Sequence, residues 1–542
     1  MVRRIIAAAV FAALSGAALA QDAGGLEERG RAAFAAQRYA EAATLYLQAA
    51  QHRPNGGLLY NAACAQALAG DAQGAMGTLQ KAFAAGWVNA QHTARDDDLA
   101  PLRGDPRWQP LLAAMKEREA RDARLFDSPA LATSYRANIS EDEKLAGLSK
   151  FWSEVKYNFV YVDKLKELDW DRLYLETIPK VRATTSTAEY YQVLMALCAK
   201  LQDGHTNIYP GPELGDAMAR PLLATHLVEG RVLVREVFDP ALAAAGVVPG
   251  SEILEVDGEP VRAYAERAIQ PYVSASTPQD LERRVYGYQF LVGPRDKAPQ
   301  VRFGNADGKR FVLPVRRVDR DSHARATGSR APFELRKLPG DVTYVALNSF
   351  GDSRAADAFL AAFEQVASGR ALVIDLRNNG GGNSNEGYRV LATLTGEPFA
   401  TSKWSTRQYL PTYRAWKRPL PDFESRAGSW QPDGKRHFRG PVAVLTSGGT
   451  YSAAEDFMVA YENMRRGPIV GEPTGGSTGQ PLLVSLPGGG MARICTKADT
   501  HPDGRAWVGH GIQPTVRVAP TVADLRRGRD TVLEAALKTL KH

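Results

Sequence analysis

Twice in its C-terminal part, this chain runs through an apolar stretch straight into a cluster of glycines. Pro441-Val-Ala-Val-Leu-Thr446 leads into Gly448-Gly-Thr-Tyr-Ser-Ala-Ala-Glu-Asp-Phe457, and Ala371-Leu-Val-Ile374 leads into Asp375-Leu-Arg-Asn-Asn-Gly-Gly-Gly382. Each pattern predicts a buried strand ending in a tight turn, and after the first the residues from Ala453 predict a helix. A serine at such a junction, Ser452, holds its hydroxyl out of the scaffold beside the unpaired N–H groups of the helix start. Attack by a hydroxyl and stabilisation of an oxyanion both require that arrangement. Capping the helix is the other role open to a serine at this place.

At 542 residues the chain is too long for one core, and three or four domains are expected. It carries 67 basic and 60 acidic residues, a formal charge of +7, without basic blocks. Nucleic acid would call for a clustered stripe, so it is not an expected partner. Met1-Val-Arg-Arg4, an apolar segment to Leu14 and Ala18-Leu-Ala20 fit a secretory signal peptide cleaved after Ala20. No later segment is apolar enough to span a membrane, so a chain exported to a periplasm is expected. Cys64, Cys198 and Cys495 are too few and too scattered for a disulfide framework or a metal site. No metal and no cofactor are expected.

Residues 24–118 are alanine-rich and helical, with a faint repeat. Gly30, Tyr39, Ala42, Tyr46, Ala49 and Pro54 correspond to Ala63, Ala72, Ala75, Leu79, Ala82 and Trp87. The pattern resembles tetratricopeptide repeats, which implies either an arm for a protein partner or a stabilising appendage. Lys116 to Arg124 is expected to be the helix exit, opening a linker to 139. Ser140-Glu-Asp-Glu143 then caps a helix whose Leu145, Leu148 and Trp152 share a face. Helical patterning ends at Asp203-Gly-His-Thr206, which presents a histidine at a helix end. From 218 to 318 strands take over: Arg231–Val237, the turn Gly246-Val-Val-Pro-Gly250, then Ile253-Leu-Glu-Val-Asp-Gly258. That order resembles a PDZ domain, which implies capture of a peptide C-terminus by strand addition. The remainder, 325–542, alternates strand and helix in α/β order and ends in a helix after Asp530 whose apolar face should dock on the core.

Taken together, Asp203–Thr206, the PDZ-like segment, Asp375–Gly382, Tyr451–Glu455, Gly471-Glu-Pro-Thr-Gly-Gly476 and Gly511-Ile-Gln-Pro514 resemble the C-terminal processing peptidase and tricorn-core serine proteases, in family order over about residues 140–540. The resemblance implies Ser452 as nucleophile and Ala453 with Gly381 or Gly382 as oxyanion donors. Processing peptidases use a lysine base in Thr-x-Gly-Lys, but here the stretch reads Thr474-Gly-Gly-Ser477. The tricorn-like branch uses a histidine from before the PDZ segment, which implies His205. Neutral imidazole suits that task, since a serine hydroxyl is a weak nucleophile until a base takes its proton. His205 could instead cap its helix. Lys497 is an alternative base, expected to be solvated. The chain departs from the tricorn branch at Gly204, where that branch has serine, and in Trp507-Val-Gly-His-Gly-Ile512, which lacks its late glutamate. Asp203, Glu472 and Asp503 are candidates to orient His205, while Glu455 is expected to serve its own helix.

The expected fold is a multidomain α+β chain: signal peptide 1–20, tetratricopeptide-like repeats 24–118, linker 119–139, a helical subdomain 140–217, a PDZ-like β-domain 218–318 and an α/β protease core 325–542. The expected function is an exported serine peptidase acting on a peptide or protein substrate, with recognition of the substrate's C-terminus as what the PDZ resemblance implies. Its alternatives are a weakly catalytic or non-catalytic peptide-binding scaffold, and an esterase or amidase on the same site.

Overall fold

The computed structural model describes residues 25–541 other than 28, 35, 53 and 54, and divides into two compact units after Pro129. The signal-peptide expectation and the repeat marker Pro54 lie outside the described residues.

The first unit is helical. Its helices include Tyr39–His52, Gly56–Leu68, Ala72–Ala84, Ala90–Arg95 and Trp108–Phe126. Ala42, Ala49, Ala75 and Ala82 are fully buried. Alanine at these positions lets the backbones approach closely, and Gly30 is as tight, since a Cβ there would lie 3.0 Å from the Tyr46 ring. The last helix runs on to Phe126, so residues 119–126 of the expected linker are helix. From Ala130 the linker belongs to the second unit, where the Thr133 carbonyl accepts from Gly488 and Gly489 and the Ala137 carbonyl from Thr187.

In the second unit, Ser140 and Glu143 form a reciprocal capping box at the start of the helix Glu141–Asn158. This helix packs with Trp170–Arg182 and Thr187–Ala199 around Phe151, Phe159, Tyr190 and Tyr191. The same core takes in Val484, Leu486, Ala492 and Ile494 from a C-terminal hairpin, Pro481–Ser485 with Met491–Cys495. Directly after the Asp203–Thr206 turn, the short strand Asn207–Tyr209 pairs antiparallel with Met491–Cys495.

A separate antiparallel sheet follows in the order Leu223–Val228, Arg231–Val237, Glu252–Val256, Gln300–Gly304 and Arg310–Pro314, with the helix Val261–Ala268 against it. Strand patterning does not extend through this whole stretch. Pro278–Arg283 is a helix and Arg284–Tyr288 a wider π-turn, and both lie against the glycine turns of the last part of the chain.

That last part is built on a six-stranded sheet in chain order: Phe333–Leu338, Val342–Leu347, Ala371–Asp375, Val442–Thr446, Ile469–Gly471 and Val516–Arg517. The first pair is antiparallel and all later neighbours are parallel. Every residue of Val342–Leu347, Ala371–Asp375 and Val442–Thr446 is buried, because parallel strands covered on both faces need continuous apolar sequence. Helices at 354–367, 384–391 and 453–464 cover one face. The helix Thr531–Thr539 covers the other with Val532, Leu533 and Ala536. Among the described residues, no helix is long and apolar enough to cross a membrane.

Candidate active site

Ligands of open parallel sheets collect at the carboxyl ends of the strands, and both glycine turns sit there. The turn after Val442–Thr446 places Ser452 immediately before the helix Ala453–Met464 with φ 56° and ψ −123°. A side chain pays about 1–3 kcal/mol for such backbone angles, so the surroundings must hold it. They do so through Glu455: its carboxylate accepts from the Ser452 amide at 3.1 Å, Thr474 Oγ1 at 2.5 Å, the Gly476 amide at 2.7 Å and the Ser477 amide at 3.1 Å. The Glu455 carboxyl therefore serves more than its helix, since it ties the helix start to the 474–477 loop. Burial pushes its pKa up to about 8, while all four donors favour the ionised form.

The turn after Ala371–Asp375 supplies the backbone donors. A Cβ on Gly381 would lie 2.7 Å from Ser452 Cβ and 2.8 Å from the Ala453 nitrogen, so only glycine allows this approach. The Gly381 amide, however, donates to Asn379 Oδ1 at 2.9 Å, which removes it as a donor to an oxyanion. The amides of Gly382 and Ala453 have no acceptor among the described residues.

His205 reaches Ser452 from 247 positions earlier, with Nε2 3.0 Å from the serine Oγ. Its Nδ1 lies 2.8 Å from Ser477 Oγ. None of the three acids expected to orient the imidazole touches it. Asp203 is buried in its own turn, where it accepts from Thr206 Oγ1 at 2.6 Å and Ser276 Oγ at 3.3 Å. Asp503 is an exposed acid bound to Arg505 at 2.7 Å. The Glu472 carboxyl is held up by burial and senses Glu282, Arg283 and Arg377 instead. Lys497 is not solvated: burial works against its charge, but Asp499 at 2.9 Å outweighs it and keeps the ammonium protonated, unfit as a base.

Residues 341–518 match the model of peptidase family S41. This stretch belongs to that family. A carboxy-terminal-processing protease of Bartonella bacilliformis is 23% identical over 309 residues, covering 56% of this chain and 61% of the relative. Carboxyl-terminal-processing peptidase 2, chloroplastic, of Arabidopsis thaliana is 23% identical over 364 residues, covering 63% of this chain and 62% of the relative. The chain thus spans about three fifths of the length of these relatives. In fold it is similar to the crystal structure of mature CPAF, with a TM-score of 0.59 at 17% identity over 74% of this chain and 96% of that one.

The S41 stretch holds Ser452, the glycine turns, Glu455 and Ser477, while His205 enters from outside it. Burial, reinforced by Arg493, Arg284 and Lys497, holds the His205 imidazole well below its ordinary pKa, so the ring is neutral at neutral pH. The Tyr451 ring stacks on it, 5.0 Å between centroids and 4° from parallel. The Tyr451 hydroxyl accepts from Arg284 at 3.0 Å. Arg284 is itself paired with Asp280 at 2.7 Å. Arg493 donates to the carbonyls of Gly204 and His205, both at 3.1 Å, and so fixes the turn that carries His205. Gly204 is required here, because a Cβ would fall 1.9 Å from the Tyr451 hydroxyl. A tyrosine thus fills the space beside the histidine that a serine at 204 would need. Ser477 carried a signal in the sequence, as it stands where processing peptidases have lysine, and Tyr451 belongs to a matched motif; Arg284 and Asp280 carried none.

Proposed function

We propose that this protein is an exported serine peptidase that cuts peptide bonds through an acyl-enzyme on Ser452, with His205 as general base. The observation that carries the reading is a neutral imidazole 3.0 Å from a hydroxyl held at a strained turn beside two unspent backbone amides. His205 Nε2 takes the Ser452 proton as Oγ bonds to the substrate carbonyl carbon, and the carbonyl oxygen becomes an oxyanion facing the Gly382 and Ala453 amides. The imidazolium then gives that proton to the leaving nitrogen as the C–N bond breaks, leaving an ester on Ser452. Water, losing a proton to Nε2, attacks the ester, and the proton returns to Oγ as the acid product departs. Ser477 accepts from Nδ1–H, which selects the tautomer whose lone pair faces Ser452.

The names of the curated relatives suggest substrates processed near their C-termini, and the sheet at 223–314 is read as a PDZ-like module for such an end. The helical hairpins of the first unit are read as tetratricopeptide-like repeats for a protein partner. A fluorophosphonate probe tests the core of the proposal: it should label the purified protein, and neither Ser452→Ala nor His205→Ala should label at a comparable rate. Full labelling of Ser452→Ala would remove this serine from the mechanism. Cell fractionation tests export.

A further inference from the structure

Beside the nucleophile turn lies a cavity of about 840 Å³, lined by Tyr451, Gly448, Gly449 and Gly380 and carrying five arginines against one carboxylate, Asp280. Two of these arginines are committed: Arg284 to Asp280, and Arg493 to the backbone of the histidine turn. The other three, Arg220, Arg283 and Arg320, have no carboxylate within ion-pair distance among the described residues. Arg220 donates to the Tyr288 carbonyl at 2.8 Å, and Arg283 Nε donates to the Tyr288 hydroxyl at 3.1 Å. Burial together with the charge of Arg320 pulls the Arg220 pKa down, the mark of like charges gathered without a counter-ion. Of the acids nearby, Asp319 caps the helix Arg320–Thr327 through Ser322, and Glu472 senses Arg283 without an ion-pair contact.

Assembling the half-buried Arg220 and Arg283 beside the exposed Arg320 without carboxylate partners costs free energy that an incoming anion would recover. We propose that this cavity is a subsite for acidic side chains of the substrate, so that the preferred peptides carry glutamate or aspartate close to the scissile bond. The distance fits. The Arg283 guanidinium packs on Gly449, since a Cβ there would lie 2.3 Å from its central carbon, and Gly449 is three residues before Ser452. Three residues span at most about 11 Å, so an extended peptide acylating Ser452 reaches Arg283, and with it the cavity that Arg220 and Arg320 also line, within about three residues. Guanidinium groups bind carboxylates through paired, charge-assisted hydrogen bonds, which their amide isosteres cannot match.

The proposal names the substrate class of the peptidase site and rests on that reading for turnover, but its test does not depend on turnover. The full-length Ser452→Ala protein is titrated with three fluorescein-labelled peptides of one sequence. The first has two central glutamates and an amidated C-terminus, the second has glutamines there, and the third is the glutamine peptide with a free C-terminal carboxylate. The glutamate peptide should bind at least about tenfold tighter than its glutamine twin at low salt. That gap should fall below about threefold in Arg220→Gln/Arg320→Gln, and in part in Arg320→Gln alone, whose exposed position spares the fold. Equal binding of the first two peptides would overturn the proposal, as would an unchanged gap in both folded variants. So would tight binding of the third peptide equal to the first, which would make the subsite a terminus binder.

Discussion

The hydroxyl of Ser477 is the sharpest point at which the proposed mechanism can fail. In Ser477→Ala the His205 Nδ1–H loses an acceptor at 2.8 Å inside a site where the ring is almost wholly buried. Two effects then act in one direction. The neutral ring can turn to the tautomer that carries its proton on Nε2, which presents a donor to Ser452 and cannot act as base. The imidazolium formed during attack also loses a hydrogen bond from a charged donor, worth about 1.5–3 kcal/mol. At 1.36 kcal/mol per factor of ten, acylation should slow by roughly 10- to 150-fold. The assay is the second-order rate of fluorophosphonate labelling, which needs no knowledge of the natural substrate, with kcat and KM added once a peptide is found. The loss should fall on kcat with KM little changed, and Ser477→Thr, which keeps the hydroxyl, should recover most of it. Labelling of Ser477→Ala within twofold of wild type would refute the orienting role, and with it the assignment of the productive tautomer.

Because burial holds His205 well below its ordinary pKa, labelling should stay flat down to about pH 6.5, with its acid limb below that. The neutral ring adds stability above pH 6.5 that is lost as pH falls through the folded pKa, since the unfolded chain there binds the extra proton; melting temperatures across pH check the sign. Glu455→Gln turns an acceptor of four hydrogen bonds into a group with two donors of its own, and should cost about 3 kcal/mol in urea unfolding while abolishing labelling. Gly204→Ser should push Tyr451 off the imidazole, because its Cβ would meet the tyrosine hydroxyl at 1.9 Å. It should lower labelling at least about tenfold, with Tyr451→Phe in that background recovering part of it.

Continuous apolar strands ending in glycines were legible in the sequence because a parallel sheet buried on both faces leaves no other pattern open to them. Ser452 was legible for the same reason: a serine between such a strand and a helix has few places to point. What surrounds His205 was not. Its Nδ1 partner is a neutral hydroxyl rather than an acid, and although Ser477 stands where processing peptidases have lysine, nothing local says that its hydroxyl turns to the imidazole. Arg284 and Asp280 sit in a stretch that reads as part of the β-domain, and only tertiary packing turns Pro278–Tyr288 toward the glycine turns. Gly381 looked equivalent to Gly382 until Asn379 claimed its amide, a choice made by one side-chain rotamer that no local pattern encodes.

His205 and Ser452 lie in segments that share no secondary-structure element, so their 3.0 Å contact depends on what joins those segments. The join is the strand Asn207–Tyr209, which starts two residues after His205 and pairs with Met491–Cys495. Thr206 Oγ1 accepts from the Cys495 amide at 3.0 Å, and Arg493 on the same hairpin strand grips two successive carbonyls within the turn, those of Gly204 and His205. The hairpin in turn sits within the helical core through Val484, Ala492 and Ile494. A shift of one residue in this register would reverse every side chain of the strand and pull the imidazole from Ser452. Glu455 performs the same task from the other side, clamping the loop of Ser477 to the amide of Ser452. The site is therefore assembled by backbone pairing at one end and by one buried carboxylate at the other, and its geometry is set before any substrate arrives.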